Sequence, residues 1–406
     1  MPTPASPTAH GLRLRPFRAV RYDPETAGEL SNVICPPYDD IGPSHARALR
    51  RRPHHLARIL YSSEPHAAAG QLKRWMQRGV LVRDSTPALY VYQQQHGTRV
   101  VQRGVIGELD LSSGGSATVL PHEGVQAHVV GQRAAHMAGL RAQLEPLLLT
   151  YRAATASGSA VVDGVTKRPP LAVARIGRVT HSVWACTDRR EQTVIARHLA
   201  GASALVADGH HRYAAGHRLS AEQPRGPWGQ SLALLVDQAT HPLQLTAIHR
   251  VVPGLEADKA AAAAADVMRV RPLPGGARLP KPGELVLTGA GHAWALTDPD
   301  PRSLDDALTG RPAAWRSLSA AVADHLLLDR AWSVPDLLGA IRHVHDARLA
   351  AASVAAPGRG VAVLLPAISE ETVRTLAGSG VLLPRKTTSF GPKPAAGLVL
   401  RVLEES

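Results

Sequence analysis

Short segments with the periodicity of strands and of helices alternate along almost the whole chain of 406 residues. The stretches 87–95 and 102–111 place apolar residues at every second position, and the intervening His-Gly-Thr-Arg sequence is typical of a β-hairpin turn. The stretch 66–79 instead repeats its apolar residues at helical spacing and ends in Gly79. This alternation predicts an α/β or α+β protein with mixed sheets, and the length predicts at least two domains.

The amino-acid composition of the sequence changes after Pro253. An Ala-rich helix is predicted over 256–268, and the Gly- and Pro-rich stretch 270–284 follows as a linker or long loop. Further helices are predicted near 316–328 and over 335–352. We therefore predict a disordered N-terminal tail at 1–14, a main domain at 15–250 and a C-terminal α/β region at 251–406.

Composition narrows the classes of function. No apolar run approaches the roughly 20 residues of a membrane-spanning helix, and the N-terminus lacks the apolar stretch of a secretory signal. Two cysteines cannot build a disulfide framework. These features predict a cytoplasmic protein without a membrane partner.

The net charge of +13 raises the question of a nucleic-acid partner. The basic residues are scattered, and the densest basic cluster, at 47–58, has no interleaved aromatic residues on which bases could stack. We therefore interpret the charge as a general compositional bias of the chain and the cluster as a solvated helix face.

One predicted strand-to-helix junction, at 204–219, combines an acid, a glycine, two imidazoles and a guanidinium. Gly209 allows a tight turn and close approach of a ligand, and the start of the following helix presents unpaired N–H groups that favour phosphate. His210, His211 and Arg212 add side-chain donors, and an arginine can contact two phosphate oxygens at once. The junction therefore predicts a site for nucleotide phosphates.

Asp208 is unexpected at such a site because a carboxylate repels phosphate. A Mg²⁺ ion held between Asp208 and the phosphate oxygens would resolve this conflict, so Asp208 is the predicted metal ligand. Two alternatives stay open from the residues alone. One is a surface turn whose histidines cap the helix, and the other is a zinc site formed by His210, His211 and His217.

Three further stretches carry candidate residues. His122 and Glu123 lie where a strand runs into a loop, and a carboxylate there could act as a general base. Tyr38 belongs to a Pro-rich turn at 32–43 that favours either function or a rigid structural turn. Lys386 and Lys393 lie in the stretch 382–397 and could contact an anion or form an exposed hairpin rim.

Taken in order, the stretches 15–41, 120–125, 206–216 and 382–399 resemble a bacterial and archaeal family of unknown function, numbered ten-fifteen. The resemblance runs from about Arg15 to about Leu403. Val125 replaces the threonine that is usual in the family's His-Glu motif, and this departure bears on the substrate pocket more than on the phosphate loop.

The Asp-Gly-His-His-Arg core also resembles the ParB/sulfiredoxin fold and, within it, the free-serine kinases. This resemblance implies ATP or ADP and Mg²⁺ as cofactors and free L-serine, or a similar small amino acid, as substrate. It implies that Gly209, His210, His211 and Arg212 bind the nucleotide phosphates, with Asp208 beside them holding the metal, and that an upstream glutamate, for which Glu123 is the candidate, acts as the base. We predict catalytic roles for Glu123, Asp208 and His211. We also predict substrate-binding roles for four residues of the other stretches, namely Tyr38, His122, Lys386 and Lys393.

The predicted activity is therefore transfer of a phosphoryl group to the hydroxyl of the amino acid, which gives O-phosphoserine. Two other functions fit the same motif. The protein could bind a nucleotide or metabolite as a regulator without chemistry, or it could be a ParB-type nucleotide-gated protein associated with DNA. The sequence contains no helix-turn-helix signature that would favour the DNA-associated function.

Overall fold

The computed structural model describes residues 11–37, 41–111, 118–153, 155–335, 337 and 339–404. The chain divides into two compact units, which are described separately. Unit 1 comprises Met1–Pro121, Val125–Leu243 and Pro392–Ser406, and unit 2 comprises His122–Gly124 and Gln244–Gly391. This division differs from the predicted one, because each unit takes a short segment from a distant part of the chain, which a single boundary after residue 250 cannot represent.

The predicted disordered tail at 1–14 lies mostly outside the described residues. Its last residues are described, and Leu12 and Leu14 are buried in unit 1 with exposed fractions of 1% and 6%. The main-chain N–H of Leu12 donates to the carbonyl of Leu199, so residues 11–14 are part of unit 1 and the prediction of disorder is wrong for them.

Unit 1 contains most of the strands and helices of the chain. Its strands are β1 (Leu14–Arg15), β2 (Val20–Tyr22), β3 (Leu81–Arg83), β4 (Leu89–His96), β5 (Arg99–Asp110), β6 (Val119–Leu120), β7 (Ala142–Gln143), β8 (Leu147–Tyr151), β9 (Ala172–Ile176), β10 (Val179–Cys186), β11 (Ala204–Asp208), β12 (Gln230–Asp237) and, near the end of the chain, β21 (Arg401–Val402). Its helices are α1 (Pro24–Ala27), α2 (Pro43–Arg51), α3 (Ala57–Leu60), α4 (Pro65–Gln77), α5 (Ala127–Leu140), α6 (Ser157–Val165), α7 (Arg189–Leu199) and α8 (His210–Glu222).

A nine-stranded sheet forms the centre of unit 1, in the order β6-β11-β8-β12-β5-β4-β10-β9, with β1 paired to β5. It is mixed, because β8 runs parallel to β12 and antiparallel to β11. Every residue of β8 and β11 is buried, as expected for continuous apolar strands that are covered on both faces. The fully buried β11 carries the chain into the predicted phosphate loop.

Unit 2 is built on an antiparallel sheet of six strands. Unit 2 has these strands, of which β13 and β20 lie outside the six-stranded sheet: β13 (Gln244–Ala247), β14 (His249–Val252), β15 (Met268–Pro272), β16 (Leu285–Gly289), β17 (His292–Pro299), β18 (Arg342–Val344), β19 (Val361–Leu364) and β20 (Thr388–Gly391). Its helices are α9 (Ala257–Ala265), α10 (Pro301–Ala307), α11 (Ser319–Ala321), α12 (Ala347–Ser353) and α13 (Glu370–Gly378), and a π-helix spans Val322–Ala331. The sheet order is β15-β17-β16-β19-β14-β18, and β13 pairs with β20 separately.

The mixed α/β class predicted from the alternation of segments is confirmed, and so is the hairpin of β4 and β5. The helix predicted over 335–352 is wrong for most of its length, since the described part of that stretch contains the short strand β18 and becomes helical only from Ala347, where α12 begins. The stretch 270–284 lies inside unit 2 and contributes the end of β15, so it does not link the two units. Within the described ranges, no helix is both long and apolar enough to cross a membrane.

Candidate nucleotide-phosphate site

The turn between β11 and α8 has the geometry that the sequence predicts for an anion site. Gly209 takes a φ of 98°, a left-handed conformation that favours glycine, and it is the residue immediately before α8. The N–H groups of the first turn of a helix carry a partial positive charge that favours an anion, and Gly209 has no side chain that could cap them.

The Asp208 carboxylate organises two cations beside this turn. Its Oδ2 accepts a hydrogen bond from Nη2 of Arg212 at 2.7 Å, and its Oδ1 lies 2.7 Å from Nζ of Lys393. Burial of Asp208 raises its pKa, but Arg212 and then Lys393 outweigh burial and hold the pKa below its usual value. Asp208 therefore holds two cationic side chains beside the start of α8, and such side chains are donors that can contact phosphate oxygens.

The C-terminal segment of unit 1 brings Lys393 to this place. Nε2 of Gln94 donates to the carbonyl of Lys393 at 2.8 Å, and Nε2 of Gln102 donates to the carbonyl of Pro392 at 2.5 Å. Both glutamines are buried on the β4–β5 hairpin, and Gln94 also donates to Oε1 of Gln102. The hairpin therefore fixes the backbone that carries the Lys393 ammonium.

The two histidines of the motif differ in their surroundings. Burial is the main reason that the pKa of His210 falls to about 4, so this imidazole is neutral at neutral pH. Nε2 of His211 accepts a hydrogen bond from the main-chain N–H of Gln126 at 3.2 Å. His211 therefore holds the segment that leads into α5, in addition to the catalytic role that the sequence predicts.

The predicted metal role of Asp208 does not fit this geometry. Each of its oxygens already faces a cationic nitrogen, and a divalent cation there would meet the charges of Arg212 and Lys393. Among the residues that the structure describes, no group of three or more His, Cys, Asp or Glu side chains could hold a metal ion, which also disfavours the zinc alternative. Asp208 is better suited to position the two cations than to ligate Mg²⁺.

The predicted general base belongs to a hydrogen-bonded cluster in unit 2. Oε1 of Glu123 accepts from the Thr388 hydroxyl at 3.1 Å, and the same hydroxyl oxygen lies 2.7 Å from Nε2 of His122. An ionised carboxylate only accepts hydrogen bonds, so the single proton of Thr388 goes to Glu123 and Nε2 of His122 must be the donor. His122 is fully buried and fixes the threonine that orients the carboxylate.

The remaining predicted residues lie in different places. Lys386 belongs to unit 2, where its carbonyl accepts from Nη1 of the buried Arg250 at 2.8 Å. Lys393, predicted as a substrate ligand, is instead the partner of Asp208 in unit 1. Tyr38 lies outside the described residues.

Sequence reasoning missed Gln94, Gln102 and Thr388 as supports of the candidate residues. The glutamine run at 93–95 is a signal that could have pointed to Gln94, since amide side chains are uncommon in the buried core of a sheet, but Gln102 lies outside this run. Thr388 has no such local signal.

Comparison with known proteins identifies the family of the chain. The model of the family described as "Protein of unknown function (DUF1015)" matches residues 14–321, and the chain therefore belongs to this family. No curated protein matches the chain.

Several solved structures are similar to the chain. A free serine kinase mutant in complex with AMP is 15% identical with a TM-score of 0.41, over 75% of this chain and 94% of that one. A conserved hypothetical protein from Pyrococcus furiosus is 14% identical with a TM-score of 0.38, over 74% and 95% of the two chains. SbnI with C-terminal truncation from Staphylococcus aureus is 9% identical with a TM-score of 0.39, over 73% and 87%. TM-scores this low do not establish a common fold, so the mixed α/β class rests on the strands and helices of this chain.

Proposed function

We propose that the turn between β11 and α8 binds the phosphates of ATP or ADP, and that the protein transfers a phosphoryl group to the hydroxyl of a small free amino acid such as L-serine. The observation that carries the proposal is the pairing of Asp208 with both Arg212 and Lys393 at the start of α8, where Gly209 precedes the helix with a positive φ. The reaction class is taken from the resemblance of the Asp-Gly-His-His-Arg motif to the free-serine kinases.

Phosphoryl transfer depends mainly on positioning and on neutralising the charge of the phosphates. In the proposed reaction, the amino-acid hydroxyl oxygen forms a bond to the terminal phosphorus, the bond from that phosphorus to the bridging oxygen breaks, and the nucleotide leaves one phosphate shorter. The helix N–H groups, Arg212 and Lys393 are the donors that stabilise the negative oxygens. Asp208 keeps the two cations in place.

Glu123 is the proposed acceptor of the hydroxyl proton. The contact with Thr388 leaves the other carboxylate oxygen, Oε2, available as the base. We expect Glu123→Gln to lower turnover by about a hundredfold or more, the usual contribution of a general base, without loss of nucleotide affinity. Glu371→Gln, which alters an exposed glutamate on α13 of the same unit, is the matched control and should keep full turnover.

Phosphorus NMR of the full chain with nucleotide and L-serine tests the proposal directly. The expected result is a phosphomonoester signal that requires both L-serine and an intact Asp208, measured with and without Mg²⁺ in the buffer. Nucleotide binding without that signal under any of these conditions would contradict the kinase and favour a regulator that binds nucleotide without chemistry.

A further inference from the structure

The segment 383–388 of unit 2 contacts both the backbone and the side chain of the stretch that carries the proposed base. The main-chain N–H of Leu383 donates to the carbonyl of His122 at 2.8 Å. At the other end of the segment, the hydroxyl and the main-chain N–H of Thr388 donate to Oε1 of Glu123 at 3.1 Å and 3.4 Å. The position of the Glu123 carboxylate therefore depends on the shape of this segment.

Lys386, in the middle of the segment, has a strained backbone. Its φ of 60° lies in the left-handed region, which residues other than glycine rarely adopt. Its side chain is exposed, so burial of that side chain does not hold the conformation. Within the segment, the Thr387 hydroxyl donates to the carbonyl of Pro384 at 2.5 Å and closes the turn around Lys386. Such a backbone geometry persists only where surrounding contacts also fix it.

Arg250 fixes this turn from outside. It lies on β14 of the six-stranded sheet and is fully buried, with an exposed fraction of 0%. Its Nη1 donates to the carbonyl of Lys386 at 2.8 Å and to the carbonyl of Ile248 at 2.6 Å. Because a guanidinium is planar and rigid, these two hydrogen bonds tie the strained turn to a strand of the sheet.

Asp324 sets the orientation of the Arg250 guanidinium. Nε of Arg250 donates to Oδ1 of Asp324 and Nη2 donates to Oδ2, both at 2.8 Å. This bidentate pairing adds geometric specificity to the attraction between the charges. Asp324 lies in the first turn of the π-helix Val322–Ala331, and π-helices usually occur only as single turns, often at functional sites. Two uncommon backbone features, the π-helix and the turn at Lys386, therefore meet at Arg250.

Strand pairing is another contact that holds this segment. Thr388 is the first residue of β20 and lies opposite Ala247 of β13. If this pairing alone placed Thr388, the ion pair of Arg250 would serve stability only. A buried ion pair is weak evidence for a gain in stability, because the loss of hydration offsets the attraction between the charges. The hydrogen bond to the Lys386 carbonyl therefore favours a role in placing the segment.

We infer that Arg250 is a positioning residue for the proposed base, Glu123. It fixes the turn at Lys386, and this turn places the Thr388 hydroxyl on Oε1 of the carboxylate. The other oxygen, Oε2, then keeps the direction that proton transfer requires. The inference deepens the proposed function, on which the role of Glu123 as a base rests, by naming the residue that controls the geometry of that base.

Carbon-13 NMR of the full chain, labelled at the side-chain carboxyl carbon of glutamate, tests this role without any need for turnover. The Glu123 signal is assigned by its absence from Glu123→Gln. Thr388→Val removes the hydroxyl that donates to Glu123 and should shift this signal. We expect Arg250→Met to shift the signal in the same direction. The double variant should shift it no further than Thr388→Val does, because both changes act on the same contact.

Arg278→Met is the matched control. Nη1 and Nη2 of Arg278 donate to the buried Glu284 at 2.6 Å and 2.7 Å, in an ion pair of the same unit, and its loss should leave the Glu123 signal unchanged. Asp324→Asn is a second test if Arg250→Met does not fold, since it removes the charge of a partly exposed side chain and keeps its shape. It should shift the Glu123 signal in the same direction as Arg250→Met.

Turnover measured on the same samples separates this inference from the proposed function. We expect Arg250→Met to lower kcat by about tenfold or more while the KM for nucleotide stays unchanged, as for a misplaced catalytic group. A Glu123 signal that neither Arg250→Met nor Asp324→Asn moves, or shifts that add in the double variant, would overturn the inference. A wild type without turnover would contradict the kinase alone, because the Glu123 signal still reports the contact.

Discussion

Asp208 determines the chemistry of the candidate site at the scale of single residues. The sequence suggested a metal ligand, because a lone carboxylate beside phosphate is otherwise unfavourable. In the structure the Asp208 carboxylate forms ion pairs with both Arg212 and Lys393, so two protein cations already balance its negative charge. The same residue therefore supports an anion site through two cations and needs no metal for that purpose.

The depressed pKa of Asp208 makes a pH-dependent contribution to stability. A carboxyl group whose pKa is lowered by folding stabilises the protein above its unfolded pKa, about 3.9, and this stabilisation is lost as the pH falls through the folded pKa. Asp208→Asn should lower the free energy of unfolding by about 3 kcal/mol near neutral pH. Urea titrations should show that the difference in the free energy of unfolding between wild type and Asp208→Asn becomes smaller below about pH 4. A difference that is the same at every pH would contradict the pairing of Asp208 with the two cations.

Gly209 offers a second test at the scale of one residue. A Cβ atom at this position would lie 3.0 Å from Cδ2 of Leu147 and 3.1 Å from Nη2 of Arg212, on a backbone with a φ of 98°. Gly209→Ala should therefore cost about 1–3 kcal/mol of stability and weaken nucleotide binding through displacement of Arg212. Thermal unfolding with nucleotide titration measures both, and Gly177→Ala, a turn glycine with a φ of 57° and open space around it, controls for backbone strain alone.

Among the elements of unit 1, the β4–β5 hairpin supports the site from within the sheet. It presents Gln94 and Gln102 to the carbonyls of residues 392–393, and the Tyr92 hydroxyl accepts from the N–H of Ala395 at 3.0 Å. These contacts hold the backbone beside Lys393. The strand pattern predicts the hairpin but not this support, because a period-two pattern does not identify the distant segment that its buried amides contact.

Substitution of Gln94 tests this support. Gln94→Met removes the hydrogen bond to the Lys393 carbonyl while keeping the length of the side chain, and we expect nucleotide affinity to fall several-fold because Lys393 is less well fixed. Gln95→Met on the same strand is the matched control, since the contacts of the Gln95 side chain, to the Gly97 carbonyl and from Gln93, stay within the hairpin. Equal affinities in the two variants would contradict the role of the hairpin.

What the sequence predicts at this scale depends on how local the contacts are. Asp208, Gly209 and Arg212 are close in sequence, so the junction of strand, turn and helix follows from a short motif. The pairing of Asp208 with Lys393 joins distant parts of the chain and follows only from the course of the C-terminal segment in unit 1. The contact of Glu123 with Thr388 in unit 2 is equally long-range, so the sequence alone could not identify it.

At the scale of the whole molecule, the chain forms two units, and each unit includes a short segment that is distant in sequence from the rest of it. Both units contain buried neutral histidines. Burial is the main cause that lowers the pKa of His55 and His181 in unit 1, and of His249 in unit 2, to about 4. Each is neutral in the folded protein near neutral pH. Their ordinary pKa of about 6.5 applies only to the unfolded chain.

These histidines predict how the stability of the whole chain depends on pH. Between about pH 6.5 and pH 4 the unfolded chain binds protons that the folded histidines do not, so the free energy of unfolding should fall as the pH decreases across this range. Urea unfolding followed at several pH values measures the slope. A free energy that is constant or rises as the pH falls would contradict the burial of these rings.

The central claim is that nucleotide phosphates bind at the turn between β11 and α8, and isothermal titration of ATP and ADP into the full chain tests it most directly. The comparison is among wild type, Lys393→Met and the control Lys167→Met, which alters an exposed lysine of the same unit. The account predicts saturable binding that Lys393→Met weakens by about tenfold or more, as for loss of a charge-assisted hydrogen bond, and that Lys167→Met leaves unchanged. No binding of either nucleotide, or equal affinity in the two variants, would contradict it.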